Sequence, residues 1–353
     1  MRKTYYRPAG LVYGPDALAL IEQGRGALLG GLSSIAFTLF EVIERDGQRI
    51  ERSLVNYPEI RHSSESWSPA LPKLDSGFRQ NDGSTAPLIM GIVNVTPDSF
   101  SDGGKNAQTE GAIAHGLHLA KEGADILDVG GESTRPGSEG VPLDEELARV
   151  IPVIGALSQA GHKVSCDTRK AAVMTAALAA GATMINDVSA LTYDPAAIAA
   201  MAKADCPVIL MHAQGDPKTM QLAPVYEDVG LDVYDALEAR IAACVAAGIA
   251  KDRLIADPGI GFGKSFRHNL DLLRQFTLFH GLGVPLLMGL SRKGFIGALT
   301  GEKLAANRVN GSVGGAVWAA LNGAHILRVH DVKATVEALA VARASVDPDR
   351  SGL

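Results

Sequence analysis

The sequence is poor in aromatic side chains, in cysteine and in net charge, and each shortage excludes a class of protein. Aromatic residues make up only 5% of the 353 residues, and the formal net charge is −6. This mild acidity gives no support for a nucleic-acid-binding surface, which needs a basic patch or stripe. No uncharged stretch combines the length and the apolar character of a membrane-spanning helix. We therefore expect a globular protein with no nucleic-acid partner and no membrane partner.

The three cysteines are too few and too far apart for a disulfide or zinc framework. Cys166, Cys206 and Cys244 lie in separate apolar segments. Widely spaced cysteines of this kind are typical of buried free thiols in a reducing compartment. The first residues, MRKTYYRPAG, also lack the apolar core of a signal peptide. Both observations predict a cytoplasmic location.

Glycine is abundant, with 39 residues, and from Leu88 onward short apolar segments alternate with helix-length ones. Eight apolar segments are predicted to be strands: Leu88–Val95, Ile126–Val129, Lys163–Asp167, Thr183–Asp187, Pro207–His212, Leu254–Asp257, Pro285–Gly289 and His325–Val329. Eight βα units of this total size predict an α/β fold, the (β/α)8 TIM barrel. A doubly wound open sheet is the alternative, but the first strand is not followed by the G-x-G-x-x-G turn of dinucleotide-binding folds.

The chain before the barrel divides into two parts. Residues 1–57 are predicted to form a small N-terminal α+β extension, with a short helix at Asp16–Glu22 and a hairpin that turns at Asp46-Gly47. Residues 58–86 are rich in Ser, Pro, Gly and charge, which predicts a linker. The barrel then spans residues 87–346, and a chain that begins near residue 84 is expected to fold and to remain active. No role is assigned to the extension.

Polar residues follow the predicted strands, at the end of a barrel where active sites lie. Asp167, Asn186, Asp257 and Lys293 come after four different strands and should converge at the barrel mouth. Helix caps and turn pairs explain each of them singly, but not their convergence. Carboxylates beside an amide and a lysine suit a flat heterocycle, because a carboxylate can accept two adjacent N–H groups.

A second group suits an anion. Asn94, Arg328 and His330 follow the first and the last strand, which become neighbours when the barrel closes. Arginine, histidine and an amide together predict a phosphate group at this corner. Two other histidines are interpreted differently: His212 as a core residue and His280 as a surface residue.

Eight motifs in this order resemble those of dihydropteroate synthase, over about residues 88–345. They are MGIVNVTPDSFSDGG (90–104), DVGGESTRPG (128–137), SCDTRK (165–170), INDVS (185–189), LMHAQG (210–215), DPGIGFGK (257–264), LSRKG (290–294) and RVHDV (328–332). Many members of the family have Ser or Thr where this chain has Gly294, and residues 1–57 lie outside the resemblance.

The resemblance implies a transferase of folate biosynthesis. Such an enzyme condenses 6-hydroxymethyl-7,8-dihydropterin diphosphate with 4-aminobenzoate to give 7,8-dihydropteroate and diphosphate. It further implies Mg²⁺ as cofactor, sensitivity to sulfonamides and a homodimer. The partners are then small-molecule substrates.

The resemblance also implies a role for each motif residue. The pterin would contact Asp167, Asn186, Met211, Asp257, Phe262 and Lys293. The diphosphate would contact Arg328 and His330, with Mg²⁺ held near Asn94. The aminobenzoate would lie by Phe100, Thr134, Arg135, Pro136 and Ser291, under two loops at 96–104 and 130–140. The catalytic residues would be Asp102, Arg135, Asp167 and Lys293.

Two alternatives stay open at this point. A methyltetrahydrofolate methyltransferase on the same barrel would share the pterin acids, but it would not need Arg328, His330 or the SFSDGG loop. A catalytically silent barrel that binds pterin to stabilise a partner should have lost Asp102, Arg135 or the anion cluster. The sequence retains all of these residues, which favours the synthase.

Overall fold

The structure is a computed structural model that describes residues 2–61, 86–95, 104–133, 140–215 and 224–348. The strands, in chain order, are β1 (Arg2–Tyr13), β2 (Ala27–Leu29), β3 (Leu32–Asp46), β4 (Arg49–Asn56), β5 (Leu88–Asn94), β6 (Ile126–Gly130), β7 (Val164–Asp167), β8 (Met184–Asp187), β9 (Val208–Met211), β10 (Leu254–Asp257), β11 (Leu287–Met288) and β12 (Ile326–Val329). The α-helices are α1 (Gly14–Glu22), α2 (Tyr57–Arg61), α3 (Gly104–Lys121), α4 (Leu143–Gln159), α5 (Ala171–Ala179), α6 (Ala197–Lys203), α7 (Val229–Ala246), α8 (Phe266–Arg274), α9 (Gly294–Thr300), α10 (Val309–Leu321) and α11 (Val332–Val346).

The eight strands β5 to β12 form one parallel sheet that closes on itself. Their order is β10-β9-β8-β7-β6-β5-β12-β11, and a parallel bridge between Ala256 and Leu286 joins the two ends. Helices separate most successive strands, as the fold requires. The predicted TIM barrel is confirmed, and the open sheet is excluded.

The period of two along each strand divides the apolar residues into two layers. One set packs outward against the helices in a large core. The other set points inward and forms a separate buried cluster: Met90, Ile126, Met184, Ile209, Ile255, Leu287 and Ile326. These residues fill the barrel interior, so the next inward position along each strand lies at the carboxyl-terminal mouth.

Most element predictions are confirmed. The sequence also predicts a helix at Asn269–Phe279, but helix α8 ends at Arg274 and a 3₁₀ segment, Phe276–Leu282, follows it. Strands β1 and β2 and helices α2 and α9 were not predicted from the sequence. The cysteines are buried and free, as expected. No helix in the described part of the chain is long and apolar enough to cross a membrane.

The N-terminal extension is a four-stranded antiparallel sheet with its own small core. Strand β3 is central, and it pairs with β1, β2 and β4. Leu29, Leu32, Ile35, Phe37 and Phe40 are buried together. The predicted hairpin is confirmed: β3 and β4 pair in register, and Gly47 takes the positive φ of 59° that the turn needs.

The extension packs closely against the barrel. Tyr5 and Ile43 are buried in the same core as the barrel helices. Thr277 Oγ1 donates a hydrogen bond to Pro8 O over 2.8 Å. The short helix α2 begins where the linker was predicted to start, and residues 62–85 of that segment lie outside the described residues. The three-part division of the chain therefore stays a prediction.

His280 was predicted to lie on the surface, and that prediction is wrong. The residue is 6% exposed and lies beneath the extension, 5.7 Å from His325 between ring centroids. Gly30 of the β2–β3 turn has a φ of 57°, and a Cβ there would lie 2.5 Å from His280 Nδ1. Only glycine allows the backbone at position 30 to pack this closely on His280. The burial of His280 therefore depends on a residue of the extension, far from it in the sequence.

Candidate active site

Strand alternation brings the predicted pocket residues onto the inner face of the barrel mouth. Most of them lie two residues after a member of the inward cluster, and Asp167 lies two residues after the buried Ser165 of the same strand. Residues placed there by strand position are Asp128, Asp167, Asn186, Met211, Asp257 and Arg328. The convergence expected from the sequence is therefore present.

Arg328 joins two acids at the centre of the site. Its Nε donates to Asp128 Oδ2 over 2.6 Å, and its Nη2 donates to Asp167 Oδ2 over 2.8 Å. Asn186 Nδ2 donates to the same Asp128 oxygen over 3.0 Å. This bond uses one of the two N–H groups of the Asn186 amide and orients it, and its carbonyl oxygen is left to accept from a ligand.

Burial raises the pKa of Asp167 to about 7, although the Arg328 charge lowers it. The neighbouring negative charge of Asp128 raises it further. A carboxyl group with a pKa near neutrality in a cleft is a candidate functional group. Asp167 was predicted to act here, and its surroundings agree with that.

Asp128 was not among the predicted site residues, yet it is fully buried. Its Oδ1 atom has no hydrogen-bond partner among the described residues. Its position at the end of a strand was visible in the sequence, but the arginine and the amide that select it come from β12 and β8. Only the folded barrel brings these three residues together.

Asp257 and Lys293 meet on the opposite side of the pocket. Gly259 N donates to Asp257 Oδ1 over 2.7 Å, and burial raises the pKa of this carboxyl group. Lys293 donates to Ile260 O, and its ammonium lies 4.7 Å from the centre of the Phe262 ring. Burial lowers the pKa of Lys293 to about 8.

A second buried lysine was also missed. Lys264 is 2% exposed, and its Nζ lies 3.0 Å from His212 Nδ1 and donates to Phe262 O over 3.0 Å. Burial lowers the pKa of Lys264 to about 7 and that of His212 to about 3. His212 was predicted to be a core residue; it is half-buried and neutral. Its contact with Lys264 fixes the orientation of its ring.

The predicted anion corner is assembled from neighbouring strands. Strand β12 pairs with β5, which brings Arg328 and His330 to the side of Asn94. His330 Nδ1 lies 3.0 Å from Ser291 Oγ. Arg328, however, is already held by two acids, a partnership that the sequence did not indicate.

The backbone is strained beside this corner. Arg292 has a φ of 59°, which is uncommon for a residue with a side chain. Its amide donates to Ser312 Oγ over 2.8 Å, and its guanidinium binds the Asp331 carboxylate. These contacts hold the conformation that places Ser291 and Lys293 on either side of it. Strain of this kind is concentrated at functional sites.

Several charged residues at the strand ends do not join the pocket. Glu132 binds Arg169 and Lys170, and Lys170 also binds the fully buried Glu146. Next to this network lies a cavity of about 440 Å³ that Met211 and Phe262 help to line. Both residues were predicted to pack near the pterin.

Five predicted residues lie outside the described part of the chain: Phe100, Asp102, Thr134, Arg135 and Pro136. Their roles stay predictions. Among the described residues, no group of three or more His, Cys, Asp or Glu side chains is arranged to hold a metal ion. Asn94 offers one amide oxygen there, which fits a Mg²⁺ ion held mainly by substrate phosphates.

Comparisons with known proteins agree with this geometry. A family model described as pterin binding enzyme matches residues 90–330. Dihydropteroate synthase of Neisseria meningitidis serogroup B is 53% identical over 266 residues, which cover 73% of this chain and 93% of that protein. A solved structure of Xanthomonas albilineans dihydropteroate synthase with 4-aminobenzoic acid is 56% identical, with a TM-score of 0.70 over 74% of this chain and 93% of that one.

One relative extends further toward the N-terminus. A probable bifunctional folylpolyglutamate synthase/dihydropteroate synthase of Haloferax volcanii is 41% identical over 335 residues, covering 94% of this chain and 37% of its own length. That span includes residues of the N-terminal extension. The family match, these identities and the inward ring of acids, amide and lysine agree, and the chain belongs to the dihydropteroate synthase family of pterin-binding enzymes.

Proposed function

We propose that this protein condenses 6-hydroxymethyl-7,8-dihydropterin diphosphate with 4-aminobenzoate, forming 7,8-dihydropteroate and releasing diphosphate. The observation that carries the proposal is the group of buried Asp167, Asn186 and Asp257 beside the partly buried Lys293, at the mouth of a barrel whose family binds pterins. Carboxylate and amide acceptors beside a lysine suit a flat ring rich in N–H groups.

The pterin ring is held by acceptors that the protein has already oriented. Asp257 uses one oxygen for Gly259 N, and its carboxylate is fixed in direction. Asn186 presents its carbonyl oxygen because the bond to Asp128 orients its amide. Fixed acceptors of this kind bind adjacent N–H groups of a ring without reorganising on binding.

Asp167 then acts on the charge that develops during the reaction. Departure of diphosphate leaves positive charge on the methylene carbon and the electron-rich ring. The ionised carboxylate of Asp167 stabilises that charge, and Arg328 keeps the carboxylate in place. Although burial raises the pKa of Asp167 to about 7, a substantial fraction of this carboxyl group is still ionised at neutral pH.

The leaving diphosphate meets the corner of Asn94, Arg328 and His330. Arg328 donates two of its five N–H groups to the acids, and the others can donate to an anion. When bound beside Asn94, Mg²⁺ would neutralise charge on the diphosphate. The aniline nitrogen of aminobenzoate is already a competent nucleophile, so the site needs no strong general base.

The test is incubation of the purified full chain with both substrates and Mg²⁺, with 7,8-dihydropteroate and diphosphate as products to be measured. We expect both products in equal amounts, and neither without aminobenzoate. Pterin binding without product would instead favour the silent barrel, and methyl transfer from methyltetrahydrofolate would favour the methyltransferase.

Three further properties belong to the same proposal. Sulfonamides should compete with aminobenzoate, because the family resemblance implies a shared site. The buried free cysteines support a cytoplasmic, reducing location. A homodimer is proposed from the family resemblance, and sedimentation of the purified chain tests it.

A further inference from the structure

We propose that Arg45 and Arg52 of the N-terminal extension are positioning residues for the pterin pocket. They act through Tyr226 on the loop of residues 258–264, which carries the contacts of Asp257 and Lys293. This inference rests on the proposed function and gives a role to a part of the chain that the barrel-only relatives in the comparison do not match.

The two arginines bind the carboxylates that build the start of helix α7. Asp228 Oδ1 caps the helix by accepting from Gly230 N and Leu231 N, and its Oδ2 accepts from Arg52 over 2.6 Å. Asp232 Oδ2 accepts from Glu227 N over 2.9 Å, and its Oδ1 accepts from Arg45 over 2.6 Å.

Arg45 has a second partner in the same segment. Its Nη2 donates to Glu227 Oε2 over 2.6 Å, so one guanidinium spans the residue before the helix cap and the first turn. The Arg45 side chain is only 18% exposed. Its planar group therefore has little freedom, and it fixes the path of the chain at residues 227–232.

Tyr226 is the next residue toward the pocket. Its hydroxyl donates to Gly263 O over 2.9 Å. Its ring packs edge-on against His268 at 5.0 Å and lies 6.2 Å from His212. Tyr226 thus contacts the C-terminal end of the loop of residues 258–264 and the following helix α8, and it lies beside the histidine that Lys264 orients.

The loop in turn holds two pterin residues. Gly259 N binds Asp257, and Ile260 O binds Lys293. Gly259 has a φ of 69°, and a Cβ there would collide with His212 O, so the loop sits tightly on the strand beside it. A contiguous set of hydrogen bonds and packed rings therefore runs from the extension to the pocket.

A lysine of the extension provides a matched control for the two arginines. Lys3 also makes two ion pairs with α7, to Asp235 over 2.6 Å and to Glu238 over 2.7 Å. These carboxylates lie further along the helix, and the structure records no contact of theirs with Tyr226 among the described residues. Asp235 also lies 3.9 Å from Arg45 Nη1, but the 2.6 Å bonds of Arg45 go to Glu227 and Asp232. Loss of Lys3 should affect docking of the extension, but not the loop of residues 258–264.

The experiment compares the full-length variants Arg45→Met/Arg52→Met, Tyr226→Phe and Lys3→Met with the wild type. For the arginine and tyrosine variants we expect KM for the pterin diphosphate, and Kd of a pterin ligand by calorimetry, to rise about five- to tenfold, the effect of one lost hydrogen bond. kcat and KM for aminobenzoate should stay within twofold. Combining the arginine and tyrosine changes should give less than the product of their separate effects.

The outcomes separate this role from a merely structural one. If the arginine variant loses thermal stability as Lys3→Met does, with unchanged pterin affinity, the proposal is wrong. If it does not fold, Arg45→Lys, which keeps the charge and loses the fork, must show the same selective rise in KM. A wild type that makes no dihydropteroate and binds no pterin overturns the proposed function itself, and this inference with it.

Discussion

Asp128 is the residue whose removal tells most about the charge balance of the site. Its negative charge raises the pKa of Asp167, and its carboxylate shares Arg328 with that residue. In Asp128→Asn, Asp167 loses a repelling charge and gains a larger share of Arg328. Both effects lower the pKa of Asp167.

We expect the acidic limb of the pH profile of kcat/KM to lie near pH 7 in the wild type, because the reaction needs ionised Asp167. In Asp128→Asn, this limb should move to lower pH by about one unit. The measurement is kcat/KM for the pterin substrate between pH 5 and 9. Ser165→Ala, which removes a buried hydroxyl without changing charge, serves as control. An unmoved limb would show that Asp167 is not the titrating group.

Asp257 allows a second prediction at the same scale. Asp257→Asn replaces an acceptor with a group that presents N–H to one of the ring N–H bonds. Each lost charge-assisted bond costs about 1.5–3 kcal/mol, which corresponds to a tenfold to hundredfold weaker affinity. Calorimetric titration with a pterin ligand measures it. Asp271→Asn, on α8 and paired with Arg267 and Arg274 instead of the pocket residues, is the control. Unchanged affinity in Asp257→Asn would remove Asp257 from the pocket.

These residues also show what the sequence could and could not predict. Strand ends and the period of two were sufficient to place Asp167, Asn186 and Asp257 at one mouth. The partners were not readable, because Arg328 is 200 positions from Asp128 along the chain and 161 from Asp167. The charge of Arg328 suggested an anion site, whereas in the structure Arg328 binds the two acids.

Among the elements, the barrel strands, which have clear apolar runs, were predicted, whereas β1 and α9, which lack one, were missed. The barrel strands are short and uniformly buried, so their bounds agree within a few residues. Strand β1 contains Pro8 and several charged residues, and its burial depends on the barrel that covers it. Helix α9 is only seven residues long and begins with a glycine, a poor helix former.

The histidine buried beneath the β2–β3 turn, His280, should make the stability of the protein depend on pH. Gly30 packs on His280, and burial lowers the pKa of His280 to about 3. The His325 charge lowers it as well, while Asn322 O accepts a hydrogen bond. A folded pKa below the ordinary value of 6.5 means that the stability contribution of neutral His280 is complete above pH 6.5. It is lost as the pH falls from 6.5 toward 3.

We therefore expect the free energy of unfolding to fall by about 1 kcal/mol more in the wild type than in His280→Asn between pH 7 and 5.5. Protonation of Asp167, whose pKa is raised, works in the opposite direction, but it is common to both proteins. Urea unfolding at each pH gives the difference, with His118→Asn on α3 as a surface control. Parallel pH dependence in wild type and His280→Asn would contradict the buried, neutral state of His280.

At the scale of the whole molecule, the extension and the barrel share a core. Strand β1 packs along the 3₁₀ segment Phe276–Leu282, and Tyr5 meets Tyr234 edge-on at 5.6 Å. The same surface of α7 carries the carboxylates that bind Lys3 and Arg45. The sequence indicated a separable unit because the composition of residues 58–86 is that of a linker. The sequence could not show that the extension, which precedes this linker, packs against the outside of the barrel.

A chain that begins at residue 86 should therefore be much less stable than the full chain, contrary to the expectation from the sequence alone. Removing the extension exposes apolar side chains such as Tyr234, which is 8% exposed and packs edge-on against Tyr5. Each large apolar side chain uncovered costs about 1.5–3 kcal/mol, against a total stability of about 5–15 kcal/mol for a typical protein. The carboxylates of Asp232 and Asp235 would also lose the cations that pair with them.

Urea unfolding of the full and the shortened chain measures the difference in stability, and addition of residues 1–61 as a separate peptide should restore part of it. Equal unfolding midpoints with equal activity would show that the barrel is complete without the extension.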